Sequence, residues 1–132
     1  MRVQRMLARG RRRAEDRMTD RCQIGTVTRG ERDPDTDDYP MVFTPVYDGP
    51  CRFKAGNVQA QDVDVAAQLL VTQLATLSLP IDTSTAVRAG MEVRVTSSAT
   101  DPALPGTVAT VKAPFRSADA TARRFPVEVT DG

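Results

Sequence analysis

Residues 91–96 read MEVRVT, with Met91, Val93 and Val95 alternating with Glu92, Arg94 and Thr96. A period of two puts the apolar side chains on one face and the polar ones on the other, which marks a half-buried β-strand. The preceding residues 87–90, VRAG, read as the turn that feeds it. Downstream, residues 101–106, DPALPG, form a turn-rich loop, and residues 107–113 alternate Val and Thr as a further strand. A loop over 114–121 then leads to a final strand over 125–129.

Working back toward the N-terminus, residues 22–28 read as a first strand around Ile24. Residues 29–40, RGERDPDTDDYP, with a glycine, two prolines and four aspartates, predict an exposed, mobile loop. Residues 41–47 read as a strand in which Pro45 demands an edge, a strand start or a bulge. The triplet Asp48-Gly49-Pro50 predicts a turn into a strand over 51–54, hence a hairpin. Residues 59–79 fit two periods. Val65, Ala66, Leu69, Leu70, Leu74 and Leu77 suit one face of a helix, whereas Leu69, Val71, Ala75, Leu77 and Leu79 alternate against Thr72, Thr76 and Ser78. The β-branched content near Pro80 favours a strand over 69–79.

The first segment has a different period. Over residues 2–19 Val3, Met6, Leu7, Gly10, Ala14 and Met18 recur at three- and four-residue steps, and Arg2, Arg5, Arg9, Arg13 and Arg17 form a stripe beside them. A helix follows, thinly apolar, that packs either on its own barrel or on a neighbouring subunit or partner. The fold class is therefore mainly β: a small antiparallel β-barrel or sandwich with an N-terminal α-helix and long loops. Residues 1–20 form a basic helical arm and residues 21–132 a single β-barrel domain.

Composition bounds the chemistry. The 132 residues suit one domain, and 40% apolar with 27% charged residues is the balance of a soluble globular chain. Histidine and tryptophan are absent, so Ser-His or Cys-His catalysis and His-ligated zinc are excluded. Cys22 and Cys51 are too few for a disulfide framework and too far apart for a CxxC motif. They read as buried thiols, with one disulfide between neighbouring strands as the alternative. No apolar run approaches the length of a membrane span and no secretory signal opens the chain, so it reads as soluble, intracellular and without a membrane partner.

The net charge of +1 conceals an uneven distribution: residues 1–32 carry ten arginines against Glu15, Asp16, Asp20 and Glu31, a net of +6. Residues 33–48 then hold five aspartates and no base. Asp33, Asp35 and Asp37 imitate the start of a calcium loop, but Asp38 stands where glycine is needed and Thr44 where a bidentate glutamate is needed. Phosphate-cradling and nucleophile-elbow motifs are missing, and neither Glu92 nor Glu128 has a partner legible from spacing. The reading is non-enzymatic, with no catalytic residue, no metal and no cofactor. Arg9 with Arg11-Arg12-Arg13, and the pair Arg123-Arg124, form basic clusters able to hold phosphate or carboxylate. Neither has aromatic residues interleaved for base stacking, which favours acids on a protein over nucleic acid.

Taken in order, the chain resembles the head-to-tail stopper proteins, also called head closure or head completion proteins, of long-tailed actinobacteriophages. The resemblance runs through ARGRRRAEDRMTDRCQI at 8–24, DPDTDD at 33–38, YDGPCRF at 47–53, LSLPIDTSTAVRAGMEVRVT at 77–96, DPALPGTV at 101–108 and TARRFPVEV at 121–129. Residues 55–65 do not match, and Met91-Glu92 stands where such proteins often carry an acid directly after the glycine. The resemblance implies a virion protein, assembled in the host cytoplasm, that forms a homo-oligomeric ring in the neck. Its implied partners are portal and adaptor proteins on the head side and tail terminator or tail tube proteins on the tail side, with packaged DNA touched non-specifically if at all. A ring of identical subunits needs two different complementary faces. The partner-binding residues expected to supply them are Arg5, Arg9, Arg11, Arg12, Arg13, Arg17, Arg123 and Arg124 on the basic side, and Asp33, Asp35, Asp37 and Asp38 on the acidic side. The alternatives are a small non-specific nucleic-acid-binding barrel with a basic arm, and a tail completion or terminator protein.

Overall fold

The computed structural model describes residues 2–55 and 73–131. A helix α1 (Arg2–Asp16) precedes six strands, β1 (Asp20–Arg29), β2 (Met41–Ala55), β3 (Gln73–Leu79), β4 (Glu92–Ser98), β5 (Val108–Val111) and β6 (Arg123–Asp131). Every pairing is antiparallel, and the strands close into a barrel in the order β1-β2-β3-β6-β5-β4. The mainly β fold with an N-terminal helix is the one expected.

The barrel interior is filled by alternate residues of each strand. Cys22 and Ile24 meet Tyr47 and Cys51, Leu77 and Leu79, Val93, Val111, Phe125 and Val127, all buried. Val93 and Val95 point inward while Arg94 stays outside, as the alternation of residues 91–96 requires. Over residues 73–79 the strand reading holds, with Ala75, Leu77 and Leu79 buried and Leu74 exposed. The remainder of the 59–79 stretch below residue 73 lies outside the described residues.

The expected turn at Asp48-Gly49-Pro50 does not form. Residues 41–55 are one strand, in which Gly49 pairs with Cys22 and Pro50 with Arg21. Tyr47, Gly49 and Cys51 all face the interior, and the Tyr47 hydroxyl donates to the Pro50 carbonyl. A Cβ at Gly49 would lie 3.1 Å from that hydroxyl. Gly49 thus makes room for a buried ring instead of bending the chain. Pro45 sits at a bulge where Ile24 pairs with Tyr47 and Gly25 with Pro45, leaving Val46 as the extra residue. The turn at Gly90 does form, with φ of 90°, and its N–H donates to the Val111 carbonyl over 2.7 Å.

Asp20 ties the barrel at its seam. This buried carboxylate at the start of β1 accepts from the Phe53 N–H on β2 at 3.2 Å and from the Ser98 hydroxyl on β4 at 2.6 Å. Cys22 and Cys51 are free, fully buried thiols. A hydrogen bond with Cys51, followed by burial, pushes the Cys22 thiol well above its ordinary range.

Candidate anion-binding groove

Arg52, Ser78 and Arg124 stand side by side on β2, β3 and β6, since Arg52 pairs with Ser78 and Ser78 with Arg124. Strand alternation aims all three outward, because Cys51, Leu77, Leu79 and Phe125 point into the core. Three strands at about 4.8 Å spacing put the two arginine Cα atoms roughly 10 Å apart. The C-terminal half of α1 lies alongside and adds Arg13, and the turn just past it adds Arg17. Between helix and barrel is a cavity of about 270 Å³ lined by Gly10, Arg13, Arg17, Arg52, Ser78 and Arg124, among others.

The helix reaches this position through a narrow contact. Leu7, Gly10, Arg11 and Ala14 are half-buried, and no residue of α1 is fully buried. A Cβ at Gly10 would stand 2.6 Å from Thr121 Cγ2, so the helix approaches the loop before β6 closely only because this position lacks a side chain. Arg11 Nε donates to the Ala120 carbonyl at 3.3 Å. Just past the helix, Met18 is buried and anchors the chain to the barrel. The face against the barrel therefore departs from the apolar stripe read in sequence: Arg11 takes part, while Val3 and Met6, at 58% and 71% exposure, face solvent. A stripe of apolar residues leaves Arg11 out, yet its long stem packs while its head finds a carbonyl.

Among the described residues, none of Arg13, Arg17, Arg52 and Arg124 forms an ion pair with a carboxylate. Converging guanidinium groups without counter-charges raise the local potential and offer paired donors to a carboxylate or phosphate. Arg124 also donates to the Thr121 hydroxyl at 3.4 Å. Arg52 is not among the binding residues expected from the sequence. Its outward aim was legible from the strand period, but its neighbours come from strands distant in sequence.

The other expected basic residues disperse. Arg5, Arg9 and Arg12 are exposed on α1 and do not line the groove. Arg123 and Arg124, read as one cluster, belong to β6 and point to opposite sides. Arg123 donates to the Ile81 carbonyl at 3.2 Å and lines a second cavity of about 270 Å³ with Arg88, Arg116, Phe115 and Phe125.

The acidic loop is exposed, as expected, and is held by its own hydrogen bonds. Asp37 adopts φ of 60°, and its N–H donates to the Asp33 carbonyl at 2.8 Å. The Asp33 N–H donates to the Asp38 carbonyl, the Asp35 N–H donates to the Asp33 carboxylate at 2.9 Å, and Asp37 pairs with Arg32. Asp35 and Asp38 keep free, exposed carboxylates among the described residues. Glu92 pairs with Arg94 at 2.7 Å and Glu128 with Lys112 at 3.0 Å. No group of three or more Cys, Asp or Glu side chains among the described residues is placed to hold a metal ion.

Fold and site together define a small closed antiparallel β-barrel with a basic helix laid over an arginine-lined groove. The chain belongs to the DUF6093 family, a family of unknown function, whose profile matches residues 10–128. No curated protein matches it. It is similar in fold to the solution structure of protein SF1141 from Shigella flexneri 2a, with a TM-score of 0.53, 16% identity, and coverage of 88% of this chain and 94% of that one.

Proposed function

We propose that this chain is a non-enzymatic protein of a phage virion neck. It forms a ring below the portal-adaptor complex, closes the DNA-filled head and offers the docking surface for the tail. The observation that carries the reading is the separation of charge on one subunit. A four-arginine groove lies beside the start of β1, and an exposed acidic turn lies beyond its end. Such a subunit has the two unlike, complementary faces that a cyclic assembly needs. The resemblance of the ordered sequence fragments to head-to-tail stopper proteins supplies the place in the virion. Adaptor and tail proteins are then the partners above and below the ring.

The test is electron microscopy of lysates from a phage carrying a stop codon in this gene. Full-length tails beside tailless heads that have lost their DNA are expected. Intact tailed particles would overturn the reading. A second reading, non-specific nucleic-acid binding, is favoured by the unpaired guanidinium groups of the groove. It requires affinity for free duplex that falls steeply with salt.

A further inference from the structure

The distal part of the β1–β2 hairpin runs on past the ladders of the other strands, with Arg94 of β4 stacked on Phe43 at its base, 4.0 Å from the ring centroid. β1 pairs with β4 only from Asp20 to Gly25, and β2 pairs with β3 only from Arg52 to Ala55. Residues 26–29 and 41–44 therefore pair only with each other among the described residues, as a two-stranded ribbon ending in the acidic turn. An isolated ribbon of this kind is marginal in water. This one nevertheless exposes large apolar side chains beside the turn: Tyr39 at 44%, with the Arg29 guanidinium over one face of its ring, and Met41 at 65% on the same side, while Val42 is exposed on the opposite face of the ribbon.

A surface of matching order lies at the other end of the molecule. The first turns of α1 expose Val3 and Met6, and the helix then runs down to the groove of Arg13, Arg17, Arg52 and Arg124. Apolar patch followed by acid on the ribbon corresponds to apolar patch followed by base on the helix. The ribbon cannot reach its own groove. β1 has ten residues and spans about 30 Å, with the groove at its start and the turn beyond its end.

We propose that the hairpin tip of one copy docks on α1 and the groove of a second copy, Asp35 and Asp38 entering among the arginines while Tyr39 and Met41, on one face of the ribbon, cover Val3 and Met6. The contact is heterologous, so each copy uses one face toward each neighbour and repetition closes a ring where the rotation allows. This deepens the ring reading above and rests on it only for self-association, not for a place in the virion.

Two variants of the full chain test it: Asp35→Asn with Asp38→Asn, which neutralises the tip, and Arg13→Glu with Arg17→Glu at the groove. All four residues are exposed, and circular dichroism checks that both variants fold. In sedimentation velocity from micromolar to millimolar protein at low salt, the unmodified chain assembles with concentration and each variant alone stays a monomer. An equimolar mixture of the two forms a dimer and stops there, because the tip of one and the groove of the other are its only intact pair. Monomers of the unmodified chain at every concentration would overturn the proposal, as would assembly of the variants like the unmodified chain. A mixture that stays monomeric while the unmodified chain assembles overturns this contact and leaves the ring. The neck reading stands or falls on the lysate micrographs alone.

Discussion

Opening of α1 from the barrel should be far easier than unfolding of the barrel. The helix is held by half-buried Leu7 and Ala14, the close seat of Gly10 on Thr121, and one hydrogen bond from Arg11 to Ala120. Half-burial of a leucine is worth about 1 kcal/mol and the alanine about half that. A part-buried hydrogen bond adds roughly 1 kcal/mol. An isolated helix of 15 residues is marginal in water, and a glycine within it costs about 1 kcal/mol. The balance is about 1.5 kcal/mol, an open fraction of roughly 7%. The whole domain, at 132 residues, is expected to hold with roughly 7–20 kcal/mol.

Amide hydrogen exchange reads this difference directly. Amides of α1 should be protected only about 13-fold by docking, while those of β3 and β6 exchange orders of magnitude more slowly. Gly10→Val sets a branched side chain against Thr121 and should remove the α1 protection while leaving the strands unchanged. Protection of α1 above about a thousandfold would mean contacts stronger than those present. Unchanged α1 exchange in Gly10→Val would show that the seat on Thr121 does not hold the helix.

Three other perturbations bear on the barrel. Asp20→Ala removes the acceptor shared by Phe53 and Ser98; urea denaturation should show a loss of about 3 kcal/mol, against about 1 kcal/mol for Ser98→Ala, and a loss below 1 kcal/mol for Asp20→Ala would refute its role at the seam. Cys22 has its pKa raised by Cys51 and by burial, so the folded state keeps the proton after the unfolded thiol has lost it. Its stabilising effect is therefore complete below about pH 8 and declines above about pH 9, by roughly 1.4 kcal/mol per pH unit. Cys22→Ala should flatten that alkaline slope, and an unchanged slope contradicts the assignment. Gly90→Val forces a branched residue into φ of 90° and should cost about 2 kcal/mol in thermal or urea unfolding. A normally stable Gly90→Val variant that has lost self-association would place Gly90 in an interface instead.

Legibility followed the range of the interactions. The strand around Val93 and Val95 was readable because alternation is a local property that burial of one face enforces. The turn expected at Asp48-Gly49-Pro50 failed because three turn-forming residues were outweighed by a packing fact that local chemistry does not contain, the inward Tyr47 ring over Gly49. Arg123 and Arg124 read as one cluster only if the last strand begins at residue 125, whereas β6 begins at Arg123. Once they lie in a strand, a period of two must separate them. The groove was the least legible feature. Arg17, Arg52, Ser78 and Arg124 meet only through the register of three strands and the seating of a helix. No spacing rule links them.

The same groove bears on the choice between a protein partner and nucleic acid. Duplex DNA carries a phosphate charge about every 1.7 Å along its axis, and a protein that tracks it needs an extended basic stripe. Here four arginines are gathered around a cavity of about 270 Å³, and the opposite end of the hairpin carries Asp35 and Asp38, which would repel a backbone lying along the barrel. None of the described residues lining the cavity is aromatic, so they offer a single strand no stacking surface. An acidic turn fits better, because guanidinium groups grip carboxylates two donors at a time and a compact pair of acids needs no extended track. Salt separates the two quantitatively. If all four arginines neutralised phosphates, the logarithm of the duplex association constant would fall against that of salt with a slope near −3.6, at about −0.9 per phosphate. A slope of that size, abolished by Arg52→Ala with Arg124→Ala, would make the groove a phosphate site and refute the carboxylate assignment. Duplex affinity that is negligible at low salt, with self-association intact, is the outcome the charge distribution requires.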